Sequence, residues 1–364
     1  MTEEKQIRLN RLPAITWYWL NMNEGEITFN GAADEAGLQT SVPEGVQQSR
    51  VAVSQNEKYA DIAKQPTGAG PKFSELLDQA GTETVIFTVP EGKKPGEALK
   101  IRIPYESGKT SLNRIAFDVK KNAELTVIMD MSSAEDAEGM AGLQTKFILG
   151  ENAVLKITQI TRVGSGFSFV NDLGGHENDG ARSEVIHLNL AGQNVYQGYQ
   201  IDLAGYKSSL KTDIAYRLKG SEHLDMNYFA NHTGKKTECE INVNGVLRDT
   251  SSKILRATID LKKGAKGAVG NEKEDVLLMD EGVRNKTIPL ILCTEEDVEG
   301  NHGATIGRLD ESLMFYMKSR GLSREQIYEM MADARIASVA KMIPDEETKA
   351  EIAKYIGGST EALS

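Results

Sequence analysis

Leu255-Arg256-Ala257-Thr258-Ile259-Asp260-Leu261 puts an apolar side chain at every second position, with a charged or hydroxyl-bearing residue between. Such period-two alternation is the pattern of a strand with one face buried and the other solvated. The same texture recurs on both sides of this stretch. Leu125, Val127, Met129 and Met131 share one parity, and Tyr199, Ile201 and Leu203 alternate with Gln200 and Asp202. No convincing amphipathic helix interrupts the chain between about residues 82 and 307. Turn-forming clusters separate the runs instead: Lys121-Asn122, Gly150-Glu151-Asn152, Ala191-Gly192-Gln193-Asn194, Lys219-Gly220-Ser221 and Lys263-Gly264-Ala265-Lys266-Gly267. Their irregular spacing argues against a strict repeat but fits coils with loops of variable length. A sandwich, a closed barrel and a solenoid all accommodate many short strands. Asn-Gly or Asp-Gly hairpins between paired runs would mark an antiparallel meander. Here Asn30-Gly31 falls outside the region, Asp179-Gly180 sits in a long polar stretch, and Asn244-Gly245 breaks a run internally. The pattern alone leaves sandwich and solenoid open.

The totals narrow the function. The 364 residues allow two or three domains or one elongated one, and 40% hydrophobic content is enough for a core. A formal net charge of −11 argues against the basic face that nucleic-acid binding needs. Two cysteines, Cys239 and Cys293, supply neither a disulfide framework nor a four-thiolate cage. The charged N-terminus lacks the apolar core of a signal peptide, and no apolar run approaches the roughly 18 residues of a membrane span, so a cytoplasmic chain is expected. There is no Gly-x-Ser-x-Gly elbow, phosphate-binding Gly-x-x-x-x-Gly-Lys loop or His-Glu-x-x-His pair. Any ATPase would therefore be a partner.

Three regions are expected: a mixed, partly helical segment over 1–80, a β core over 81–307 and a helical segment over 308–364. In the first, Leu12-Pro13-Ala14 with Trp17, Tyr18 and Trp19 reads as a packing anchor, and Phe73 to Ala80 as a short helix ending at Gly81. In the last, Leu309, Leu313, Tyr316 and Met317 keep helical spacing. Ser323 to Gln326 has capping-box spacing, after which Ile327, Met330, Met331, Ala334 and Ala337 form one apolar stripe. Pro344-Asp345 starts a third helix, which Gly357-Gly358 ends.

Two polar segments could carry chemistry. Gly174-Gly175-His176-Glu177-Asn178-Asp179-Gly180 reads as a solvated loop without the twelve-residue calcium pattern. Gly300-Asn301-His302-Gly303-Ala304-Thr305-Ile306-Gly307 reads as a Gly-punctuated turn that offers His302, an imidazole suited to iron or zinc. Cys293 lies nine residues earlier, but in an apolar run, where a thiol is usually a small buried hydrophobe.

The run from His302-Gly303-Ala304-Thr305 through Leu309-Asp310-Glu311 to the helix ending Ser319-Arg320-Gly321-Leu322 resembles the signature of the SufB/SufD scaffold proteins of iron–sulfur cluster assembly. The resemblance extends more weakly back to about residue 120, and Asn10-Arg11-Leu12-Pro13 with Thr16-Trp17 is similar to SufD-like chains. It implies a right-handed parallel β-helix, whose ends need caps; the helical tail could supply one. It also implies a non-enzymatic, SufD-like subunit that pairs with a SufB-like paralogue. His302 would be a transient ligand to iron or a nascent cluster at the scaffold interface, and Cys293 a weaker candidate. No cofactor would be held tightly. The SufC ATPase would dock on the tail through Leu313, Phe315, Tyr316, Met317, Met330 and Met331. Two departures matter: Gly300 stands where SufD chains often carry a cysteine, and Asn271 to Asp275 lacks the SufB-type assembly cysteine. Two rival readings are a homodimeric scaffold with SufC and a carbohydrate-active β-helix enzyme.

Overall fold

Inward-facing alternation winds the chain into a mainly β molecule, a parallel β-solenoid of about 8 turns followed by helices. The structure is a computed structural model and describes residues 4–15, 18–30, 33–52 and 59–357. Thr16, Trp17, Gly31 and Gly358 lie outside the described residues.

Successive strands alternate between two sheets, so each pairs in parallel with the strand two places on. His223–His232 lies between Asn194–Leu203 and Ser252–Leu261 in one sheet. Ser209–Leu218 lies between Arg182–Ala191 and Glu238–Leu247 in the other. Parallel pairing excludes a hairpin sandwich and explains the missing two-residue turns: every strand leaves its sheet at its end. The inward residues stack in ladders, as with Tyr199, Tyr228 and Ala257, which are at most 2% exposed. Leu125, Val127, Met129 and Met131, and Leu255, Ile259 and Leu261, belong to the same core. The turn clusters sit at the corners, where Asn122 (φ 56°) and Asn152 (φ 54°) take the left-handed conformation that asparagine tolerates.

The two ends differ. At the N-terminal end, Gln47–Val51 pairs antiparallel with Thr84–Val89, and Gln39–Ser41 with Leu99–Pro104, so the first 80 residues close both sheets. At the other end, Arg284–Cys293 and Glu299–Gly307 are the last strands of their sheets. Nothing among the described residues stacks on them.

The N-terminal segment is tied along the outer face. Asn10 Nδ2 donates to Asp225 Oδ1 at 2.7 Å and Arg256 Nε donates to the Met22 carbonyl at 2.7 Å, while Leu12 packs with Ile254 and Ile288. The packing reading thus holds for Leu12 but not for Trp19, which is 99% exposed.

Among the described residues there are five α-helices, in chain order α1 (Ala60–Ala63), α2 (Pro71–Gln79), α3 (Glu311–Ser319), α4 (Arg324–Ala340) and α5 (Glu346–Tyr355). Pro71 starts α2 earlier than expected, and Gly81 follows its end at φ 70°. The capping box at Ser323 and Gln326 is formed. The buried face of α4 differs from the expected stripe: Ile327, Tyr328, Ile336, Val339 and Ala340 are buried, whereas Met330 and Ala334 are exposed. The partner surface selects that face. Outward-pointing Ile128, Ile160, Ile186, Leu188 and Leu190 form an apolar stripe on the nine-stranded sheet, and α4 and α5 lie against it. Each such side chain removed from water contributes about 1.5–3 kcal/mol, which outweighs a methionine stripe's adaptability. Consequently the helical tail flanks the solenoid and does not cap its open end.

Candidate functional site at the open coil

His302 lies on the strand Glu299–Gly307, not in a turn. Gly300 and Gly303 serve as strand residues; a Cβ on Gly300 would lie 2.9 Å from Ile291, so the inward side of this strand is tight there. His302 has the same inward parity as Gly300. It is nevertheless exposed, because no further coil covers the strand.

Beneath it lies an unusually polar piece of solenoid interior. Glu272, on Val269–Leu278, is the in-register partner of His302. Glu272 is 6% exposed, and burial, with Glu274 beside it, pushes its carboxyl up to about 7 against the opposing pull of Lys253. Its Oε1 has no hydrogen-bond partner. Below it, Lys253 and Glu274 form an ion pair whose side chains are both 0% exposed. Thr287 closes the triangle: it accepts from Lys253 Nζ at 3.0 Å and donates to Glu274 Oε2 at 2.8 Å. Burial lowers the Lys253 ammonium, and Glu274 opposes that shift. Parity could have found this group. Counting back in twos from Leu255 reaches Lys253, and from Val276 reaches Glu274 and Glu272; a search for thiols passes over them.

Cys293 also occupies an inward position on the last coil, in register with Leu261, but it is exposed and donates to the Glu295 carbonyl at 3.0 Å. The buried-hydrophobe reading fails because the strand is an edge. Ile291, two residues before Cys293, and Gly300, two residues before His302, are in near contact. Cys239 is buried in the core, and burial pushes its thiol up to about 12. Among the described residues, no group of three or more His, Cys, Asp or Glu is arranged to hold a metal ion.

The His176 segment is also strand, not loop, as far as Glu177. Its glycines allow close approach: a Cβ on Gly174 would lie 2.2 Å from the Pro66 carbonyl oxygen, and one on Gly175 2.1 Å from the Phe147 ring. His176 faces Asp202 at 3.2 Å, and Glu177 is buried against Ser183. The docking candidates on α3 are open: Phe315 is 75% exposed, Tyr316 54% and Leu313 40%, with Met317 half-buried. On α4, Met330 is exposed and Met331 half-buried.

Residues 102–335, most of the chain, match the family model described as SUF system FeS cluster assembly, SufBD core domain. The chain belongs to the SufBD family. Within the family it is SufD-like. It is 25% identical over 268 residues to the iron–sulfur cluster assembly protein SufD of Bacillus subtilis, covering 69% of this chain and 58% of that protein. It is 24% identical over 297 residues to SufD of Escherichia coli, covering 78% of this chain and 69% of that protein. A SufBD family protein of Mycobacterium leprae is 30% identical over 133 residues, 36% of this chain and 15% of that protein. The SufD-like chain thus spans somewhat over half the length of the Bacillus subtilis relative. Among the described residues, no helix is long and apolar enough to cross a membrane.

Proposed function

We propose that this chain is a non-enzymatic scaffold subunit of the SUF machinery that pairs with a SufB-like paralogue through its open last coil. The observation that carries the reading is the edge strand Glu299–Gly307, whose outer side has no partner among the described residues and which is exposed along almost its whole length, with His302 on it. An edge strand offers a row of free N–H and C=O groups and is normally blunted or used. This one has no proline and no bulge, and its glycines keep it slim. A second solenoid stacked there would satisfy its backbone and place its own side chains opposite His302. Iron and sulfide are the cargo at that junction. The lone imidazole and the carboxylate of Glu272 contribute from this side, and the thiolates that clusters usually require come from the partner.

The exposed apolar residues of α3 are the docking face for a SufC-like ATPase, an apolar helix surface of the kind that fits a groove. ATP-driven pairing of two such ATPases would strain the scaffold and open the junction at His302. Phe315→Asp is expected to weaken capture of the ATPase by about tenfold or more, as loss of a central aromatic anchor does. Isothermal titration of the purified ATPase into the variant checks this. Unchanged affinity for Phe315→Asp and Tyr316→Asp alike would move the docking face elsewhere.

A further inference from the structure

A pocket of about 130 Å³ lies far from the open coil, between α1, α2 and the outer face of the ten-stranded sheet. Its floor is two rungs of the sheet. Thr84, Arg114, Gln144 and Asp172 stand in register on four neighbouring strands, and Ile86, Ala116 and Lys146 form the next outward rung. Three polar atoms in the first rung lack a partner among the described residues: Thr84 Oγ1, Arg114 Nε and Gln144 Oε1. All three residues line this pocket. Thr84 is 2% exposed and Gln144 0%. Buried polar atoms are satisfied in the great majority of cases, so three orphans in one rung point to a guest.

The neighbours fix these groups in place. Gln144 Nε2 donates to Ser74 Oγ and Asp172 Oδ2, both at 2.9 Å, which leaves its carbonyl oxygen without a partner among the described residues. Arg114 Nη2 holds Asp78 at 2.9 Å and the Ser74 carbonyl at 3.3 Å, which frees Nε. Lys146 donates to the neutral Ala63 carbonyl at 2.6 Å and makes no ion pair among the described residues. It is 7% exposed, and burial pulls its ammonium down to about 8 although Asp172 opposes the shift.

The free groups are therefore mostly donors: Arg114 Nε–H, the Thr84 hydroxyl and the remaining N–H groups of Lys146. Two cations, Arg114 and Lys146, line the pocket against one carboxylate, Asp78, which Arg114 already holds, so a cationic guest is disfavoured. Ile62, Ile86 and Ala116 give the pocket an apolar side, beside Tyr59 and Ser74. An empty cavity of 150 Å³ holds benzene, so about 130 Å³ suits roughly five or six non-hydrogen atoms. We propose that this pocket binds a short-chain monocarboxylate, its carboxylate on Arg114, Thr84 and Lys146 and its alkyl end against Ile86 and Ala116. The carboxylate supplies the acceptors that the orphaned donors need, and charge-assisted bonds of this kind are the stronger ones. Inorganic phosphate has no alkyl end to fill the apolar walls and carries more charge than they tolerate.

The probe is carbon-13-labelled propionate, titrated into the full chain and followed by its NMR line width, with inorganic phosphate and methylammonium as comparators. The expected result is saturable one-site binding of propionate, at least tenfold tighter than phosphate, with no methylammonium binding. Lys146→Met and Ala116→Leu, which removes a donor and fills the pocket respectively, should each weaken propionate at least tenfold, with melting temperatures recorded to confirm folding. Should Lys146→Met fail to fold, Ala116→Leu decides alone. No saturable propionate binding, equal binding of phosphate, or binding unchanged by Ala116→Leu would overturn the proposal and leave water as the occupant.

Discussion

Lys253→Met is expected to destabilise the protein by about 3–5 kcal/mol, the usual consequence of stranding one member of a buried ion pair. Glu274 would keep the Thr287 hydroxyl at 2.8 Å but lose the Lys253 ammonium, its one contacting cation among the described residues, with the buried Glu272 carboxyl beside it. The double variant Lys253→Met/Glu274→Leu should recover most of the loss, since an apolar pair of similar volume is often as stable as the ions it replaces. Urea unfolding of wild type, both single variants and the double variant measures the coupling. A single variant as stable as the double would mean that water reaches the pair. The expected non-additivity is large because both side chains are fully buried, whereas surface pairs such as Lys94–Glu124 should contribute within about 1 kcal/mol.

His302→Ala is expected to leave stability within about 0.5 kcal/mol of wild type, because the ring is exposed and makes no buried contact. Cluster assembly on the complex with a SufB-like partner and the ATPase should nevertheless fall by on the order of tenfold or more, as when a metal loses a ligand or its support. Reconstitution with iron and sulfide, followed by visible absorption, reads the loss, and co-purification reports whether the partner is still bound. Retained pairing with lost assembly assigns the imidazole to the cargo. Full assembly activity in His302→Ala would remove it from the site. Glu272→Gln, which keeps shape but removes charge beneath the ring, should give a smaller loss of the same kind.

Much of the fold was legible because its local rules agree with one another. The parity of Leu255, Ala257, Ile259 and Leu261 gave the buried face, Asn122 and Asn152 gave the corners, and Ser323 with Gln326 gave the start of α4. Glycine misled in two places. Gly174, Gly175 and Gly300 suggested turns, but each lies in a strand where another side chain or backbone approaches closely. Which face of α4 is buried depends on a stripe formed by five residues on three different strands, so helical periodicity alone could not fix it. The candidate site was legible only as His302. Its surroundings, Glu272, Glu274, Lys253 and Thr287, are polar residues at inward positions. A pattern that seeks apolar residues at those positions reads them as exceptions. The open edge was invisible in the sequence because it depends on where the last coil stops and the tail turns aside.

Amide hydrogen exchange along Glu299–Gly307 tests the edge-pairing account most directly, measured on the chain alone and then with its SufB-like partner. The outward-facing amides of this strand should exchange freely in the isolated chain and become strongly protected in the complex, with protection centred on His302. Unchanged exchange along this strand in a stable complex, with new protection on another surface, would contradict the account.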